Sequence, residues 1–152
     1  MTPQKSPHAA AVTLVQEALR VVLGIGCHVR TQLPLALDPA SEPEPDVAVV
    51  HGAPRDYRDA HPATALLLVE VADTTLAFDR GWKSSLYARA GVADYWIVNL
   101  VDRVLEVYRD RRPEPAARYG WTYATVRRFD SEEGIVPLAA PTARVAVRDL
   151  LP

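Results

Sequence analysis

From His8 to Leu23, apolar side chains recur at Val12, Val15, Leu19, Val22 and Leu23. Steps of three and four predict an amphipathic helix, with Gly24 as its C-cap. Residues 1–7 are polar, carry two prolines and read as a loose lead-in. The period then changes. Residues 27–37 alternate and predict a strand, with Pro34 marking an edge or a break. Residues 46–51 and 64–71 form compact apolar runs of the kind a buried strand needs. Loops over 38–45 and 52–63, both containing proline, separate them. A helix is predicted over 79–90, with Asp79 as N-cap and Gly91 at its end. Beyond it lie strands at 93–100 and 104–108, a polar loop at 109–117, a strand at 118–129 and short strands at 135–139 and 144–147.

This order of helix, strands, helix and strands predicts an α/β domain spanning 1–152, with a central mixed β-sheet flanked by α-helices. No internal repeat and no second domain is evident. The length suffices for one core burying roughly two-thirds of the unfolded surface.

Residues 66–83, LLLVEVADTTLAFDRGWK, hold the candidate chemistry. Glu70 lies inside a greasy strand, where an unpaired acid costs several kcal/mol. Lys83 falls in the first turn of the predicted helix, where the macrodipole disfavours a cation by roughly 0.3–1 kcal/mol. Asp46 precedes the apolar run Val47–Val50. If strands 46–51 and 64–71 pair antiparallel, Asp46 comes opposite or diagonal to Glu70, about 5 Å away on one face. Two such carboxylates repel each other unless a cation lies between them. Magnesium suits one or two carboxylates, waters and phosphate oxygens. Lys83 could then reach in from the next helix and position or deprotonate an attacking water beside a phosphate.

Composition sharpens this picture. With 49% hydrophobic and 24% charged residues the chain is of globular type. Its net charge of −2 argues against a non-specific nucleic-acid binder. Of 17 basic residues only Lys5 and Lys83 are lysines, so a lysine at 83 suggests that the compact, tunable ammonium is wanted. Cys27 is alone, which excludes an internal disulfide and fits a reducing cytoplasm. No signal peptide and no membrane-spanning run is expected. The four histidines lack zinc-ligand spacing, and Ser84-Ser85 lacks a nucleophile elbow. Trp82, Tyr95 and Trp96 are assigned to the core.

PDVAVV (45–50), HP (61–62), LLVEVADTTLAFDRGWK (67–83), LYARAGV (86–92) and YWIV (95–98) resemble the Uma-two family. That family is placed with the restriction-endonuclease-like PD-(D/E)XK nucleases. The similarity extends to the helix from His8, Gln32-Leu33-Pro34 and the C-terminal LAAPTARVAVRDLLP. The resemblance implies a restriction-endonuclease-like core and a Mg2+-dependent endonuclease acting on DNA, with Mn2+ as a possible substitute. It also implies a metal site from Asp46, Glu70 and the backbone carbonyl of Val71, and Lys83 as the superfamily lysine moved from strand to helix. Asp79 matches the family pattern as well as an N-cap role; Asp73 reads as a turn cap. Relatives usually carry an acid before the first helix, which puts a complete two-metal site in doubt; Glu17 is the substitute considered. Asn99 stands where Asp is more usual. By analogy a homodimer is expected. The competing expectation is a fold that has lost activity and serves as a DNA-binding or assembly module.

Overall fold

The structure, a computed structural model, describes residues 5–152. Helix α1 (Ser6–Val22) leads into strands β1 (Cys27–Thr31), β2 (Val47–His51) and β3 (Leu67–Ala72). A helical run in three pieces follows: α2 (Leu76–Phe78), a π-helical turn (Asp79–Lys83) and α3 (Ser84–Arg89). Then come β4 (Tyr95–Asn99), β5 (Val104–Pro113), β6 (Trp121–Phe129), and the short pair β7 (Gly134–Ile135) and β8 (Val145–Ala146).

Strands β1 to β6 form one mixed sheet in sequence order. Every neighbouring pair is antiparallel except β3 and β4. That parallel pair needs a crossover, which the helical run supplies. All six residues of β3 are buried, as a central strand covered on both faces requires. Alternation divides its side chains between two cores. Val69 and Val71 pack beneath α1 with Ala11, Val15 and Leu19. Leu68 and Ala72 face α3 with Leu86, Tyr87 and Ala88. The expected mixed sheet with a helix on either side is the architecture found.

Several boundaries differ from expectation. Of the lead-in, residues 1–4 lie outside the described residues, while Ser6 and Pro7 already belong to α1. Leu23 is extended, so Gly24 is no helix-closing cap, and the turn falls to Gly26 at φ 96°. Gly91 does close its helix: at φ 91° it lets Val92 N–H reach Tyr87 O. Strand β1 stops at Thr31, where Gln32 adopts φ 53°. Strand β5 runs on to Pro113 through residues expected to be a polar loop, because pairing with β6 satisfies its backbone. Asp79 is no N-cap: helix begins at Leu76, which also takes Lys83 out of the first turn. Tyr95 and Trp96 are core as expected, but Trp82 is 38% exposed.

Candidate active site

The register Val47↔Val69 makes Asp46 and Glu70 the next cross-strand neighbours at the open end of β2 and β3. The backbone N–H of Asp46 donates to Glu70 Oε1 at 3.0 Å, and Val71 N–H donates to Asp46 Oδ2 at 2.8 Å. The two acids are thus held by each other's strand. Period-two alternation turns Glu70 toward the helical run, where Lys83 Nζ lies 2.8 Å from its Oε2. Lys83 also lies 3.5 Å from Asp79 Oδ1, one turn back on the same helix face. The π-turn, a rare widening common at functional sites, carries both.

Electrostatics separate the members. Burial, aided by Asp46 and Asp79 and opposed by Lys83, raises Glu70 to about 7. Asp79 is raised too, chiefly by burial. Burial works against the Lys83 ammonium, but Glu70, Asp79 and Asp46 outweigh it and hold the amine above its ordinary value. The lysine is therefore a fixed cation near neutral pH.

Three residues join the site that the sequence reading did not place there. His8 Nε2 lies 3.3 Å from Asp46 Oδ2, and its buried Nδ1 has no partner among the described residues. The available signal was helical phase, since position 8 continues the buried stripe of Ala11, Val12, Val15 and Leu19. Tyr87, four residues after Lys83, donates its hydroxyl to Glu70 Oε2 at 2.7 Å. Thr75 donates to Asp79 Oδ2 at 2.9 Å. Glu17, in contrast, is exposed and nine residues beyond His8, about 13 Å along the helix axis. It is not brought to the site. Asp73 is exposed at the turn, 3.9 Å from Lys5. Val71 meets Asp46 through its amide; its carbonyl as a metal ligand stays an expectation.

The donor set suits a hard divalent cation. It offers carboxylate oxygens, a glutamate whose charged form lacks sufficient compensation, and a buried Asp79 Oδ1 with no hydrogen-bond partner. Among the described residues no group of three or more His, Cys, Asp and Glu side chains is arranged to hold a metal.

With this geometry in hand, comparison decides the family. A family model described as "Uma2: Putative restriction endonuclease" matches residues 1–144. The chain belongs to the Uma2 family. A crystal structure titled as a putative nuclease of DUF820 from Anabaena variabilis is similar in fold, with a TM-score of 0.68 at 16% identity. The match covers 99% of this chain and 82% of that one. No curated protein matches. Among the described residues no helix of this Uma2 member is long and apolar enough to cross a membrane.

Proposed function

We propose that the chain is a metal-dependent endonuclease that hydrolyses DNA phosphodiester bonds. The observation that carries this reading is the Lys83 ammonium held 2.8 Å from Glu70, which is itself the cross-strand neighbour of Asp46. Asp46 and Glu70, with the Val71 carbonyl, would hold Mg2+ or Mn2+, and Asp79 lies close enough to add charge. A divalent ion there supplies a Lewis acid for the phosphoryl oxygen and a bound water of lowered pKa. Lys83 stays protonated, so its N–H groups orient the attacking water and offset charge growing on the phosphate. Tyr87 and the Asp46 amide fix the Glu70 carboxylate, and His8 and the Val71 amide fix Asp46. These contacts keep the acids in place before substrate arrives.

Membership of the family whose model is described as "Putative restriction endonuclease" supports this reading. A homodimer would let two such sites address two strands, and a cytoplasmic location agrees with the single cysteine. The test is conversion of supercoiled plasmid to nicked and linear forms with Mg2+, with Mn2+ and with EDTA. Metal-dependent nicking by the native chain that is lost in Lys83→Ala is expected. Cleavage that persists unchanged in the variant overturns the mechanism.

One observation favours the alternative of an inactive binding or assembly module. Glu70 already has three partners, namely Lys83, Tyr87 and the Asp46 amide, and so is hydrogen-bonded without a metal. Calorimetric titration separates the readings. Magnesium that releases no heat and leaves the melting temperature unmoved would favour the inactive module.

A further inference from the structure

Trp82 is an exposed member of the π-turn that carries Lys83 and Asp79, and Phe78 immediately precedes that turn at the end of α2. Large aromatic groups in the first turns of a helix ordinarily enter the core, yet Phe78 is 46% and Trp82 38% exposed. Their rings lie 5.5 Å apart, tilted, with Tyr119 from the β5–β6 connection edge-on to Trp82 at 6.2 Å. The Trp82 indole N–H donates to the Tyr119 hydroxyl, which fixes the connection against the helical run. Arg118 lies over Trp82, its Cζ 3.4 Å from the ring centroid, and Arg89 lies over Tyr119 at 4.6 Å. Arg89 is paired with Asp38. Among the described residues no carboxylate pairs with Arg118, which is exposed. The surface adjoins the site directly, since Lys83 Nζ is 5.7 Å from the Phe78 ring.

Exposed aromatic rings beside an unpaired guanidinium group suit a strand whose bases are free to stack and whose phosphates are accessible. In a duplex the base faces are covered by their neighbours, so stacking recognition selects unpaired bases. We infer that Phe78, Trp82, Tyr119 and Arg118 form a stacking platform that holds single-stranded DNA at the entrance of the carboxylate–lysine site. This rests on the nuclease reading for what the strand meets next, and it makes the preferred substrate single-stranded or locally unpaired DNA.

The test is fluorescence anisotropy in EDTA, using a labelled thymidine oligomer of roughly 12 nucleotides and a duplex of equal length. The native chain should bind the single strand more tightly than the duplex. Trp82→Ala should weaken single-strand binding roughly tenfold while Trp82→Phe retains most of it. Arg118→Gln, at an exposed position that folding does not need, should reduce the slope of log affinity against log salt by about 0.7. Equal binding of strand and duplex by the native chain, or unaltered strand binding in both Trp82→Ala and Arg118→Gln, overturns the proposal. EDTA separates it from hydrolysis. Strand binding that depends on Trp82 in a chain that never nicks DNA removes the nuclease reading alone. Nicking that survives with strand binding indifferent to Trp82 removes the platform alone.

Discussion

Glu70 and Glu106 occupy one row of the sheet: Glu70 pairs with Ile97, and Ile97 with Glu106. Both are strand acids with nearly inaccessible side chains, at 2% and 3%, and each meets a cation from the same π-turn. Arg80 serves Glu106 and Lys83 serves Glu70. Their electrostatics are nonetheless opposite. Burial pushes both upward, but at Glu106 the hydrogen bonds from Arg80, Tyr108 and Asn99 outweigh it and hold the carboxyl below its ordinary value. Arg80 grips both oxygens, with Nε at 3.1 Å from Oε1 and a terminal nitrogen on Oε2. Asn99 Nδ2 donates at 2.9 Å, which explains asparagine at that position: a carboxylate there would face Glu106. Glu70 instead has two acids nearby and a single ammonium, and rises to about 7. A satisfied buried acid behaves as structure, whereas one left short of compensation has room for a further cation.

The sharpest way to break this contrast is at the cations. Lys83→Ala should lower metal-dependent nicking by about 10²- to 10³-fold, the scale of losing one preorganised charge donor. Arg80→Ala should reduce cleavage far less while lowering the urea midpoint. Equal effects of the two variants on nicking, measured at matched folded fractions, would erase the distinction between a structural and a working acid.

Next in size is pH. Glu70 holds its proton more tightly in the folded chain than in the unfolded one. Between its ordinary value near 4.5 and about 7 the folded state therefore binds more protons, and stability falls as pH rises. The full span amounts to about 3 kcal/mol. Glu106 has the opposite sign: its contribution is present above the ordinary carboxylate value and is lost as pH falls through its depressed one. Urea titrations from pH 4.5 to 8 in EDTA should show the decline, Glu70→Gln should flatten it, and Mg2+ should oppose it. A native chain whose stability is level across that window would refute the uncompensated state of Glu70.

The two acids were unequally legible in sequence. Glu70 was visible because Asp46 and Lys83 fall at spacings that one hairpin pairing and one helix bring together. Its strand register, Val47↔Val69, is fixed by the apolar alternation of both strands. Glu106 lies in VLEVY, whose alternation by itself gives no reason to expect a buried acid; its partners Arg80 and Asn99 come from elements whose relative rotation only packing decides. The same limit hid His8 and Tyr87, although both lie on the buried phase of their helices. Asp79 was misread as an N-cap because an acid before an apolar helix fits that rule, while the helix in fact starts three residues earlier. The π-turn has no sequence signature, and Trp82 lies within it, 38% exposed.

Replacing Glu106 by Gln should cost about 2 kcal/mol, the range for hydrogen bonds to a charged group, discounted because Arg80 remains 40% exposed and can return to water. Glu70→Gln in metal-free buffer at pH 8 should cost less than that, because the partner lost by Lys83 is offset by removal of a charge that burial disfavours. A smaller loss from a chemically identical substitution in one row of the sheet would be the clearest thermodynamic mark of the difference, read as shifts in urea midpoint at constant slope. Matching losses at both positions would show that Glu70 is as well compensated as Glu106.

The smallest change compares two hydroxyls. Tyr87 donates to Glu70 Oε2 at 2.7 Å and Tyr108 donates to Glu106 Oε1 at 2.8 Å. Each Tyr→Phe substitution deletes one hydrogen bond to a buried carboxylate while keeping the ring packing, such as the edge contact of Tyr87 with Tyr95 at 5.0 Å. Each should cost about 1 kcal/mol, a fall in melting temperature of about 2–4 °C for a chain of this size. The consequences for titration should diverge. At Glu106 the Arg80 fork remains and keeps the carboxylate charged. At Glu70 the Tyr87 hydroxyl is one of three donors among the described residues, so its loss should move the midpoint of the pH-dependent decline further upward. Carbon-13 NMR of the labelled glutamate carboxyls would resolve the two sites. An upward displacement confined to Glu70 requires the imbalance described above, and equal displacement at both sites is incompatible with it.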